Sequence, residues 1–167
     1  YSEFASQIYG KPVTKANKLE RYVGKTAILG LGYGMGHEKF RYTLKVGSPS
    51  VDITEATALS IVSQYRAMYP NIPQLWNAFK YHLFTMAVTN KDNKVPYGPL
   101  FIKSKAIELP NGMHLNYPGL IYENGNHMYN SGKTMIKTYG ARLVENEVQA
   151  LARAVIVEQM LAVHRMP

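Results

Sequence analysis

The feature that most constrains this chain is a change in the period of its apolar residues part-way along. Ala58, Ile61, Val62, Tyr65, Met68 and Tyr69 recur at helical spacing, as do Ile72, Leu75, Trp76, Phe79, Leu83, Met86 and Ala87 around the punctuation of Pro70 and Pro73. Beyond residue 90 the pattern breaks into short segments. Lys105–Leu109 and Met113–Tyr117 flank Pro110-Asn111-Gly112, and Asn-Gly is a strong hairpin signal. Further strands are expected at 119–123 and 134–139, followed by a long helix over about 142–164. The reading is mainly α with a small β portion, an α+β fold. A helical region covers about 1–90, and a strand-and-helix region covers about 91–167, with a β-hairpin at 105–117.

The helical region divides at its glycines and prolines. Residues 2–9 read as a helix stopped by Gly10 and Pro12. Thr14 is the expected cap of a second helix, about 15–30, and the glycine-alternating segment 30–36 reads as a hinge. A shorter helix over 36–45 leads into a loop through Gly47, Ser48, Pro49 and Ser50. Asp52-Ile-Thr-Glu55 resembles a capping box, which places the next helix start at Asp52. The apolar stripes read as core, and Trp76 gets no functional role.

Charge is unevenly spread. Of a formal net charge of +8, the stretch 11–45 carries +6, with Lys11, Lys15, Lys18, Arg21, Lys25, Lys39, Arg41 and Lys45 against Glu20 and Glu38. A polyanion such as DNA or a triphosphate suits that stretch, and a solvated basic face is the plainer reading. The absence of cysteine removes disulfides and thiolate metal sites, and fits a reducing compartment. There is no apolar run long enough for a membrane span and no secretory signal at the start.

Within the basic stretch, Arg21, Lys25, Leu29 and Tyr33 are spaced four apart, so on a helix they form one stripe. Three such steps span about 18 Å, roughly a nucleoside triphosphate with its paired base. Arg and Lys at one end suit phosphates, one as a fork and the other as a point charge. The apolar Leu29 and the aromatic Tyr33 suit sugar and base. By spacing alone, such a stripe is more often a solvated helix face. In the last helix Arg142, Asn146, Gln149 and Arg153 make a second polar face, with Leu143, Val144, Val148, Leu151, Val155 and Ile156 filling much of the rest. Side-chain amides can read minor-groove acceptors that all base pairs share.

The string Arg21-Tyr-Val-Gly-Lys25-Thr-Ala-Ile-Leu29-Gly-Leu-Gly-Tyr33-Gly34 resembles the fingers motif of family A DNA polymerases, position for position except that Leu29 replaces an aromatic. Tyr1–Gly10 resembles the helix after that family's first catalytic motif. Leu109–Pro118 resembles a palm hairpin of its phage-type members, and Ile136–Arg153 resembles the strand and helix before its last catalytic motif. The resemblance implies a fragment holding fingers and partial palm of an intracellular DNA-directed DNA polymerase, with dNTP and primer-template DNA as partners along with the rest of the polymerase chain. It implies that Arg21 clamps the outer phosphates and that Lys25 holds the alpha-phosphate side and protonates pyrophosphate. It also implies that Tyr33 and Gly34 lie at the base-pair end, and that Arg142, Asn146 and Gln149 meet DNA. Tyr1 falls where many relatives have a His that contacts the triphosphate, and Ala154 where phage relatives have Asp.

The family's Mg²⁺ ions are held by aspartates, about 4 Å apart as a pair. The resemblance puts those aspartates outside this chain, so the fragment alone is expected to be inactive and without a metal site. Asp52 reads as a cap and Asp92 as part of a Lys-Asp-Asn-Lys loop. Gly24-Lys-Thr26 and Gly132-Lys-Thr134 lack the upstream glycine of a P-loop. The five histidines show no ligand spacing, and His114 is expected on a strand. Two other readings stand beside the polymerase: a non-catalytic basic helical nucleic-acid-binding module, and an enzyme that uses the Arg21–Lys25 helix for another nucleotide.

Overall fold

The computed structural model describes residues 1–89 and 94–166. The boundary expected near residue 90, Asp92 and Pro167 lie outside the described residues. The chain forms two compact units, one over Tyr1–Gln74 and one from Leu75 onward. Helices dominate and two small antiparallel sheets accompany them, which is the α+β content expected.

The first unit holds α1 (Ser2–Tyr9), α2 (Lys18–Leu31), α3 (His37–Val46) and α4 (Glu55–Met68). Its core is Phe4, Val23, Ala27, Leu31, Phe40, Leu44, Ala58, Ile61, Val62 and Tyr65. Phe4 meets Tyr65 edge-on with ring centroids 5.5 Å apart, a favoured aromatic geometry. Gly10 ends α1 in the left-handed conformation, as its place after the apolar run suggests.

Two helix starts differ from expectation. Asn17, not Thr14, is the N-cap of α2. The Thr14 hydroxyl accepts from the Ala16 N–H, and its own N–H donates to Asn17 Oδ1 at 2.9 Å. Thr14 therefore closes a turn just ahead of the helix. For α4 the cap is Thr54, whose hydroxyl accepts from the Thr57 N–H at 3.1 Å. Asp52 lies too early to reach an unpaired helical N–H, and pairs with Lys45 at 3.5 Å.

Helix α5 (Asn71–Val88) crosses the division between the units. Pro73 sits inside its first turn, where backbone N–H groups have no helical acceptor, so the proline starts the helix rather than breaking it. The second unit then carries a meander of β1 (Lys94–Tyr97), β2 (Leu100–Lys103), β3 (Ala106–Glu108) and β4 (His114–Asn116). A second meander follows, of β5 (Ile121–Glu123), β6 (Asn126–Asn130) and β7 (Met135–Thr138), before α6 (Gly140–His164).

The expected hairpin is β3–β4, with Glu108 opposite His114, and His114 lies on a strand as read. Its loop is a Leu109-Pro-Asn-Gly112 turn, closed by the Gly112 N–H on the Leu109 carbonyl at 2.9 Å. Strands β1, β2 and β6 were not foreseen. Burial alternates along β2 and shifts within β6, so neither presents a long apolar run.

The core of this unit joins Phe79, Leu83 and Met86 of α5 to Leu100, Ile102, Ile107, Leu109, Tyr117, Leu120, Leu143 and Val144. Among them lies a misfit. Glu147 is buried in α6, and its Oε1 has no hydrogen-bond partner among the described residues. Burial pushes its carboxyl up to about 8 from 4.5. The folded chain thus holds this proton more tightly than the unfolded one. The group's contribution to stability is complete below pH 4.5 and is lost as pH rises towards 8. Glu147→Gln should flatten that decline and raise stability at pH 8 by up to about 4 kcal/mol, as read by denaturant unfolding at pH 5 and pH 8.

Candidate nucleotide and nucleic-acid interface

In the first unit the site is built on α2. Val23, Gly24, Ala27 and Leu31 face its core, which turns Lys25 and Leu29 to solvent and leaves Arg21 half-buried. Helix α1 packs closely on this helix because position 24 has no side chain. A Cβ there would fall 2.6 Å from the Tyr1 carbonyl oxygen and 2.8 Å from the Ala5 Cβ. The close approach brings Tyr1 to Arg21, whose guanidinium carbon lies 5.7 Å from the ring centroid, within cation–π range.

Two acidic groups of this unit are held by lysines outside the Arg21–Lys25 stripe. Glu20 pairs with Lys11 at 3.0 Å and Asp52 with Lys45, while Arg41 donates to the Ile53 carbonyl at 2.9 Å. Among the described residues, Lys15, Lys18, Arg21, Lys25 and Lys39 make no ion pair.

Tyr33 does not extend the helical stripe. Helix α2 ends at Leu31, and Tyr33 lies in the turn after it. Its N–H reaches the Gly30 carbonyl at 3.2 Å and the Gly34 N–H reaches Leu31 at 3.1 Å, three-residue bonds that tighten the helix end. Gly34 has φ of 80°, a conformation that L side chains rarely adopt. The structure thus keeps Arg21, Lys25 and Leu29 on one helix and sets Tyr33 and Gly34 on the turn that follows.

In the second unit, Asn146, Gln149 and Arg153 line a cleft of about 730 Å³ between α6 and the β3–β4 hairpin. The hairpin supplies Leu109, Asn111, Met113, His114 and Leu115 to the same cleft, and Ala154 lies in its wall. Sequence reading missed the hairpin's share, since it comes from pairing and not from any motif. Arg142 is not in the lining. Its guanidinium instead reaches the Lys137 carbonyl at 3.4 Å.

Asn146 is held in place: its Nδ2 donates to the Tyr117 hydroxyl at 2.9 Å. Burial pushes that phenol up to about 12, so it stays neutral and able to accept this bond. Gln149 is looser, exposed and with Nε2 3.5 Å from Glu145.

No group of three His, Asp or Glu among the described residues is placed to hold a metal ion. The described residues do not fit a Mg²⁺ centre. Among the described residues no helix is long and apolar enough to cross a membrane.

Comparison with known proteins gives one curated relative. It is the DNA polymerase of Bacillus phage SP02, 30% identical over 173 aligned residues that take in 92% of this chain. The chain spans about a quarter of that relative's length, 26%. No family model matches the chain, and no solved structure matches it. The chain is therefore similar to part of a phage DNA polymerase.

The bond from Asn146 to Tyr117 can be tested by a double-mutant cycle. Asn146→Ala and Tyr117→Phe should each destabilise the chain by about 1 kcal/mol, with the double variant losing less than the sum. Additive losses in urea unfolding would mean the two side chains do not interact.

Proposed function

We propose that this chain is the fingers and part of the palm of a family A, phage-type DNA polymerase. The fingers correspond to about residues 1–90 and the palm part to about 91–167. The observation that carries the reading is the face of α2, where Arg21 and Lys25 stand without carboxylate partners and Leu29 follows a turn later. The similarity to a phage DNA polymerase along most of the chain supports it.

In this reading α2 grips the incoming dNTP. Arg21 forks onto the outer phosphates, steadied by the Tyr1 ring. Lys25 lies at the alpha-phosphate, where its charge offsets the negative charge that builds up in phosphoryl transfer and its proton goes to the departing pyrophosphate. Leu29 faces the sugar with volume but no ring face. Tyr33 and Gly34 occupy the base-pair end, on a turn that can move as the fingers close.

The cleft in the second unit receives primer-template DNA, with Asn146 and Gln149 on minor-groove acceptors and Arg142 near the backbone. An amide fixed by Tyr117 suits a contact that must be the same for every base pair. The Mg²⁺-binding aspartates belong to the parent protein, outside this chain.

Within an intact parent polymerase, Lys25→Ala should slow single-nucleotide incorporation by about a hundredfold or more while changing DNA affinity little. Equal losses in rate and DNA affinity would remove the phosphate role. Leu29→Tyr should ease the use of dideoxynucleotides. Unchanged discrimination would mean that this position does not face the sugar.

A further inference from the structure

A second recess in the same unit has no part in this scheme. On α5 Lys80 and Tyr81 are adjacent, and Asn77 and Phe84 lie three or four residues to either side of them, which puts the four on one side of the helix. With Tyr122 and His127 they line a pocket of about 340 Å³. Tyr122 and His127 are direct partners across β5 and β6, so their rings share a sheet face, 4.6 Å apart. Phe84 meets Tyr122 edge-on at 5.5 Å.

Three features set the pocket apart from ordinary surface. Tyr81, Phe84 and Tyr122 are exposed, with Tyr81 at 68%, although large aromatics usually gain most by burial. His127 is 4% exposed, yet its Nε2 has no hydrogen-bond partner among the described residues. Burial, with the charge of Lys80, lowers its pKa, which keeps the ring neutral with one donor and one acceptor nitrogen. The lining also includes a lysine and no acidic residue.

Exposed ring faces beside a cation are the elements that hold single-stranded nucleic acid: bases stack and phosphates pair with the charge. The unsatisfied imidazole nitrogen is buried in the free chain, so a base edge bonds it by displacing the side chains over it. We propose that this pocket holds an unpaired nucleotide within a single strand, its base against Tyr81 and Phe84, its edge at His127 and its phosphate on Lys80. The inference rests on the pocket alone and goes beyond the polymerase reading, since it requires neither dNTP binding nor catalysis.

The test uses the 167-residue chain and a fluorescein-labelled oligothymidylate of about eight nucleotides, read by anisotropy at fixed salt. Tyr81→Ala and Phe84→Ala should each weaken binding about tenfold, and Tyr81→Trp should preserve it. Met160→Ala, remote on α6, should leave it unchanged. Circular dichroism checks that each variant folds. Adding the oligonucleotide to the unmodified chain should shift the ring nitrogen resonances of His127.

Full affinity in both alanine variants would overturn the proposal, as would an unmoved His127 signal. Thymidine triphosphate binding as tightly as the oligonucleotide, and weakened alike by Tyr81→Ala, would overturn the strand in favour of a free nucleotide in this pocket. Self-association that Tyr81→Ala abolishes, with oligonucleotide affinity intact, would make this face a protein contact and overturn it too.

Discussion

Much of the second unit depends on a backbone-to-backbone contact between two helices. At Gly140, where α6 begins, a Cβ would lie 2.0 Å from the Trp76 carbonyl oxygen and 2.8 Å from the Lys80 N–H nitrogen. No side chain fits there, so α6 starts against the main chain of α5. Once that end is pinned, helical geometry dictates the rest. Leu143 and Val144 turn into the core and Asn146 comes round to Tyr117. Gln149 and Arg153 fall in line along the cleft. The same contact fixes α5, whose outward face then carries Asn77, Lys80, Tyr81 and Phe84 to the second pocket. It also explains Glu147, which follows Asn146 by about 100° and so turns inward with the apolar residues.

The glycine in the first unit does comparable work for a different end. Gly24 lets α1 lie close on α2, and the result is a tyrosine ring beside Arg21. The guanidinium is thereby held beside a ring face rather than left wholly to solvent. Lys25 has no such neighbour and is exposed. The two cations of the stripe are therefore not equivalent: one lies beside an aromatic ring and the other is exposed.

What was legible in the sequence follows from periodicity. The helices of the first unit have long stripes with glycine and proline at their ends, and each was read within a few residues. Caps were harder, because Thr14 and Thr54 differ only in which unpaired N–H their hydroxyls can reach, and that depends on loop shape. The strands of the second unit are three to five residues long, too short for alternation to register, so β1, β2 and β6 went unread. The apolar residues of α6 fill much of the helix outside its polar face, yet its buried residues are confined to Gly140–Glu147, and Val148, Val155 and Ile156 are exposed. Amphipathic pattern shows which face is apolar but not how far along a neighbour covers it. The stripe through Arg21, Lys25 and Leu29 was legible for the same reason as the helices, and Tyr33 was not, because four-residue spacing continues past a helix end that the backbone has already turned.

The electrostatics of the first unit argue that its basic face is not there for stability. Like charges four apart on a helix cost a few tenths of a kcal/mol, and Arg21 and Lys25 incur that cost on α2. A helix selected for stability alone would place a carboxylate between them. Glu20 is one residue away, but its side chain goes to Lys11 at 3.0 Å. Asp52 goes to Lys45. Glu20 and Asp52 are thus matched to Lys11 and Lys45, and Arg21 and Lys25 have no ion pair among the described residues. Water solvates such a pair adequately at an exposed surface, so the repulsion is tolerable. A triphosphate or a nucleic-acid backbone would turn that repulsion into attraction at both residues at once.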